Sequence, residues 1–272
     1  MKIPLITAAI IGMIATPAFA DDAPASPLSF NVGVVTDYLF RGVSQTHGDG
    51  ALQAGVDYAF SNGFYVGAWA SSISWVKDYT GKGTTEVDIY GGYRNAFAGG
   101  DWNYDVGLIT YNYPGHGAAN AFGANPNTTE VYGALGYKEF SVKYSHAVSS
   151  HFIGWYSSTG GGTRGSGYLE GNWAHDLGDG WGVSAHIGHQ RVRDLSIADY
   201  TDWNVGVTKD VGFGVIGLTY SDTNTSGSCD SSAGGTNAYC WGNNGFMPGI
   251  GATSGFRNVS KGTALLTFKK TF

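Results

Sequence analysis

Residues Phe30 to Phe40 read FNVGVVTDYLF, and the chain runs on from Arg41 to Thr46 as RGVSQT. At period two, Phe30, Val32, Val34, Thr36, Tyr38 and Phe40 point one way. Asn31, Gly33, Val35, Asp37, Leu39 and Arg41 point the other way. One face suits lipid and the other carries an acid and a base. Such a strand predicts an inward Arg41 near the outer mouth of a barrel, with Asp37 and Asp57 as its ion-pair partners or, alternatively, acting as a constriction residue that sorts solutes by charge, and Gly42 letting the chain leave the strand.

Composition agrees with strands in a membrane. Charged residues make up 13% of the chain, about half the roughly 25% of an ordinary soluble domain. Glycine accounts for 44 of 272 residues and aromatics for 14%, while mean hydropathy is −0.11. Few charges, much glycine and many rings, without a long apolar run after the N-terminus, fit a transmembrane β-barrel. Net charge is −6, or −7 without Lys2, and no basic run argues for nucleic acid.

The first residues explain how such a chain leaves the cytoplasm. Lys2, an apolar run from Ile3 to Ile14, and Ala18-Phe19-Ala20 before Asp21 read as a secretory signal over 1–20. The run falls short of the roughly 18 residues that span a bilayer. The exported barrel domain is then 21–272. In an exported protein Cys229 and Cys240, close together in a polar segment, predict a disulfide, since companion metal ligands are missing.

Alternating segments fall near 29–41, 51–60, 64–75, 84–94, 101–113, 128–138, 139–149, 166–177, 181–191, 200–210, 213–222 and 260–272. About twelve strands in an up-and-down antiparallel barrel follow, an even number as bacterial barrels require. Connections alternate long and short, which places both termini on the short-turn, periplasmic side. Aromatics gather at the short turns: Phe60, Phe64, Tyr93, Trp102, Tyr137, Phe140, Trp181 and Phe213 form an expected girdle at the lipid boundary. Phe272 joins them and ends the chain as a terminal signal for the barrel assembly machinery of the outer membrane.

With the apolar parity outward, the lumen is expected to carry Asp37, Asp57, Glu86, Asp88, Asp105, Glu130, Glu170 and Asp202, with Arg41, Arg94, Lys138, Lys143 and Lys269 as bases. A mixed, slightly acidic lining results. Glycines at 33, 55, 92, 107 and 136 thin that face, either widening a pore or admitting rings. Catalytic signals are weak. His186 and His189 face opposite sides of a strand, and His146 near Ser145 and Ser149 lacks an oxyanion or third-member motif. The Thr159 to Gly167 run TGGGTRGSG lacks the Lys-Ser/Thr ending of a phosphate loop. No catalytic residue, metal or cofactor is expected.

Four pieces carry a family resemblance: TDYLFRGVSQ (36–45), GFYVGAW (63–69), EVDIYGGY (86–93) and YNYPG (111–115). With them the chain resembles the TorF family of porin-like proteins, also called Gcw_chp, over essentially its whole exported length. Thr36 stands where the family more often has serine. The resemblance implies a porin-like protein of the Gram-negative outer membrane, in contact with lipid and passing small solutes or ions. Two other readings stay open: a closed barrel for adhesion or envelope structure, with the 223–259 loop as plug or binding part, and an outer-membrane hydrolase. A lumen packed with Tyr90, Tyr111, Tyr132 and Tyr168 would favour the closed barrel.

Overall fold

The computed structural model describes residues 26–116, 125–229, 236–242, 245–246 and 256–272. The expected signal at 1–20 lies outside the described residues. Twelve strands form the wall: β1 (Leu28–Val35), β2 (Ala51–Ala59), β3 (Phe64–Ser72), β4 (Thr85–Phe97), β5 (Trp102–Asn112), β6 (Thr128–Tyr137), β7 (Phe140–Ala147), β8 (Gly167–Gly178), β9 (Trp181–Arg191), β10 (Tyr200–Asp210), β11 (Val215–Thr223) and β12 (Thr263–Thr271). Each pairs antiparallel with the next, and β12 returns to β1 with Asn31 opposite Thr271 and Val35 opposite Thr267. Closure leaves no strand edge unpaired, which hydrocarbon demands of any spanning sheet. Among the described residues no helix is long and apolar enough to cross a membrane.

The period-two pattern becomes two faces. Phe30, Val32 and Val34 lie exposed on the outside of β1, as do Phe140, Val142 and Tyr144 on β7 and Ile187 on β9. Short turns of two to four residues follow β2, β4, β6, β8 and β10. Asp179-Gly180, with φ of 50° and 76°, turns β8 into β9, the left-handed pair that a two-residue hairpin needs. At this end Phe60, Phe64, Tyr137, Phe140, Trp181, Phe213 and Phe272 are exposed, with Tyr93 packed on Phe64 and Trp102 on Tyr137. All the longer connections gather at the opposite end.

Several expectations change at that long-loop end. β1 stops at Val35, six residues short of the expected end, and 36–46 folds back as a hairpin in which Leu39 pairs with Ser44 and Phe40 with Val43. Tyr38, expected toward lipid, is 3% exposed, and Phe40 packs edge-on against Tyr111 of the inner face. Positive φ at Arg41 (51°) and Gly42 (78°) makes the reversal, and burying two rings favours folding inward. β3 likewise ends early, at Ser72, ahead of a short helix, Trp75–Thr80. β4 runs on to Phe97, which shortens its turn. Lys138 sits at a turn with φ 52°, its side chain 56% exposed and 3.8 Å from Asp101, so it leaves the lumen list.

Inner-face glycines admit rings. A Cβ at Gly107 would lie 2.5 Å from the Tyr132 hydroxyl and 2.6 Å from the Gly91 carbonyl oxygen. The second contact is backbone and cannot step aside. Gly107→Val is therefore expected to cost about 1–3 kcal/mol as an overpacked site, read as a lower urea midpoint for the folded, heat-modifiable band.

Candidate functional site: the lumen and its inserted hairpin

The inner face differs between its two ends. In the long-loop half, Gln53, Trp69, Ser71, Glu86, Asp88, Tyr111, Glu130, Ser145, Tyr168, Gln190, Tyr200 and Asp202 are all buried. Toward the short turns, inward Ala134, Ser141, Asn172, Ala174, Ser184 and Thr267 are only half-buried. What fills the long-loop half is folded chain. Tyr38 and Val43 come from the hairpin, Phe152 from the loop after β7, and Ala238, Tyr239 and Trp241 from the segment before β12.

Arg41 anchors the hairpin. Its guanidinium donates to both Glu130 carboxylate oxygens, at 3.0 and 2.7 Å, and to Gln190 Oε1 at 2.9 Å. The Tyr111 hydroxyl donates to the same carboxylate at 3.2 Å, and the guanidinium lies 4.3 Å from the Tyr168 ring centroid. Two-pronged pairing with a carboxylate plus ring stacking is what the planar guanidinium does best. The expected partners take other roles. Asp37 accepts from the Ser44 and Thr46 hydroxyls at 2.5 and 3.1 Å, tying the hairpin's own ends together, and Asp57 accepts from Tyr90 at 2.6 Å. Burial pushes the Asp37 carboxyl above its ordinary range, and those hydroxyls partly offset it.

A band of paired charge continues below Arg41. The Tyr168 hydroxyl donates to Asp202 at 2.8 Å, and His186 Nε2 stands 3.2 Å from the same carboxylate. Glu170 lies between His186 Nδ1 at 3.6 Å and Lys143 at 3.7 Å. Lys143 in turn sits 4.7 Å from the Tyr132 ring centroid. The Tyr132 and Tyr65 hydroxyls touch, Tyr65 donates to Asp105 at 2.7 Å, and Arg94 caps the Tyr65 ring at 5.0 Å. Lys269, opposite Gly33 on β1, completes the inward bases. Glu86 and Asp88 are fully enclosed, with the Tyr38 hydroxyl 3.4 Å from Glu86 Oε1.

This arrangement orders and desolvates charge more readily than it makes or breaks bonds. Ser145 is buried on the inner face while His146 belongs to the outer one, hydrogen-bonded to Tyr144 at 3.2 Å. His186 is inward and His189 is exposed, 3.0 Å from Thr201. Among the described residues no group of three His, Cys, Asp or Glu is placed to hold a metal. Cys229 and Cys240 form the expected disulfide, Cα atoms 5.3 Å apart. Gln190, Tyr65 and Tyr38 carry contacts that the charge inventory missed. Inward parity on β9 and β3 pointed to the first two; nothing local pointed to Tyr38.

The whole span from residue 20 to 247 matches a family described as bacterial proteins of unknown function, Gcw_chp. The chain belongs to the Gcw_chp family. No curated protein matches this Gcw_chp chain in sequence. Among solved structures, the Gcw_chp barrel is similar to the KdgM porin in complex with disordered oligogalacturonate, at TM-score 0.50 and 8% identity, covering 90% of this chain and 98% of that one. It is also similar to the NanC porin, at TM-score 0.51 and 10% identity, covering 89% and 98%. At these identities the likeness is one of fold, a closed barrel of nearly full matching length.

Proposed function

We propose that this Gcw_chp chain is an outer-membrane channel for passive diffusion of small polar solutes or ions, narrowed at its outer mouth by the 36–46 hairpin. The observation that carries the reading is the ladder of paired charges on the inner face of a closed barrel, from Arg41–Glu130 down to Arg94 and Asp105. Such side chains lining an enclosed lumen are what a channel uses to pass and sort polar solutes. The porin-like likeness, the TorF resemblance and the expected signal at 1–20 support a Gram-negative outer-membrane location. In that setting the long loops face outward, the termini and aromatic girdle face the periplasm, and Phe272 is what the assembly machinery recognises.

Over the inner face as a whole Asp57, Glu86, Asp88, Asp105, Glu130, Glu170 and Asp202 outnumber Arg41, Arg94, Lys143 and Lys269, so cations are the preferred ions. The test is single-channel recording of the refolded chain in a planar bilayer under a salt gradient. Small, steady steps with a reversal potential on the cation side are expected. Replacing Asp57 and Asp105 together with asparagine is expected to move that potential toward zero, read in the same recordings.

A second reading has its own observation. Tyr111, Tyr132 and Tyr168 are 2–6% exposed, a lining packed by rings, which suits a closed barrel serving envelope structure or adhesion. A correctly folded barrel that stayed silent under both polarities would decide for that reading.

A further inference from the structure

The outer surface of the barrel carries a feature that a solute channel does not call for. At the long-loop rim, β7 and β9 bring His146 and Arg191 to either side of Gly167 of β8, in a patch facing away from the lumen. In the antiparallel register Gly167 of β8 lies opposite both His146 of β7 and Arg191 of β9. One row nearer the barrel middle, Leu169 lies opposite Tyr144 and His189. Arg164 and Arg193 join from the flanking loops, and Arg193 donates to the Arg164 carbonyl oxygen at 3.2 Å. Three of the six arginines in the chain are therefore in this patch.

The basic patch stands above an apolar foot. Gly167 lets the Tyr144 ring lie across β8, and at Gly165, in the loop before it, a Cβ would lie 3.3 Å from Arg193 Nη1 and 3.8 Å from His146 Cε1. Below it, Tyr144, Leu169 and Ile187 are 47%, 52% and 59% exposed in one continuous outward column. Asp194, 3.4 Å from Arg193 Nε, and Asp199, which accepts at 2.6 Å from the backbone N–H of Val192 between Arg191 and Arg193, offset part of this charge. Elsewhere on the rim the matching outward positions are uncharged or acidic: Ser72, Thr85, Asn112, Thr129, Thr201 and Asp222.

We infer that this face binds one class of partner, a phosphate-bearing anionic lipid of the leaflet at the long-loop end. Its headgroup would sit among Arg164, Arg191, Arg193 and His146, and an acyl chain along Tyr144, Leu169 and Ile187. Guanidinium groups match phosphate geometry, and arginine at the end of an apolar column places its charge at the headgroup level. The inference rests on the membrane-spanning reading proposed above.

The test is native mass spectrometry of the full chain released from detergent micelles, titrated with dioleoyl phosphatidic acid or dioleoyl phosphatidylcholine. The native protein is expected to retain phosphatidic acid in preference to phosphatidylcholine. R191Q/R193Q is expected to bind phosphatidic acid about thirty-fold more weakly, at roughly five-fold per arginine, while K261Q, just before β12 and three strands round the wall from β9, binds as the native chain does. Heat-modifiable gel mobility shows that each variant is folded, and insertion into neutral phosphatidylcholine vesicles tests the membrane-spanning reading separately. Undiminished phosphatidic acid binding by the double variant, equal retention of phosphatidylcholine, or displacement of the lipid by inorganic phosphate would each overturn the assignment.

Discussion

Replacing Arg41 with alanine is expected to destabilise the folded barrel by about 3–5 kcal/mol, the usual cost of leaving one partner of a buried ion pair alone, and to raise single-channel conductance. Glu130 is fully enclosed and takes both of its strongest contacts from this guanidinium. Gln190 and the Tyr168 face would lose the same partner. The hairpin's other anchors are mostly neutral: the Tyr38 ring on Trp69 and its hydroxyl on Glu86, the Phe40 ring on Tyr111, and backbone hydrogen bonds from Ser44 to Val259 and from Ser74 to Gln45. Without Arg41 it is expected to leave the lumen for part of the time, opening larger current steps. A companion variant separates charge from shape: R41M/E130L removes both ions together and keeps apolar bulk. Exchanging a buried pair for apolar residues is often neutral, so its unfolding free energy, read by urea titration, is expected to return to within about 1 kcal/mol of the native chain. If R41A matched the native chain in both urea midpoint and conductance, Arg41 would not be the anchor.

The second large effect concerns the disulfide. C229S/C240S is expected to lose about 3 kcal/mol of local stability, from loop-closure entropy for a sequence separation of 11. The loss is confined to the segment the bridge holds. Cys240 opens a three-residue strand, Cys240–Gly242, which pairs with Gly245–Phe246 on one side and Arg257–Asn258 on the other. The same segment sends Tyr239 against Trp155 and Tyr200, and its hydroxyl to the Ala198 carbonyl oxygen at 2.6 Å. Proteolysis from the long-loop side is therefore expected to cut the variant, or the reduced native chain, between β11 and β12 while the wall survives. Equal cleavage with and without reductant would mean that packing of Tyr239 and Trp241 holds the segment unaided.

The wall was legible residue by residue. Phe30, Val32 and Val34 against Asn31, Gly33 and Val35 announced a strand with one lipid face, and the long and short connections set the order of pairing. The inward parity of Asp57, Glu86, Asp88, Asp105, Glu130, Glu170 and Asp202 followed from the same alternation. The partners of these side chains were not legible. Arg41 meets Glu130 and Gln190 across sequence separations of 89 and 149 residues, and no local pattern encodes which inward side chain faces which across a closed lumen.

The hairpin shows the same division within one stretch. Its alternation continues unbroken to Phe40, so a reading at period two carries β1 too far and sends Tyr38 and Phe40 toward lipid. Strand number, the faces of the wall and its polarity of long and short connections come from the sequence by itself, because backbone pairing in hydrocarbon leaves alternation and turn length as the governing constraints. Where residues 36–46 go was decided only by tertiary structure. The left-handed turn at Arg41 and Gly42 allows the reversal, but the cavity lined by Glu86, Tyr111, Glu130 and Tyr168 that receives it exists only once the barrel has closed.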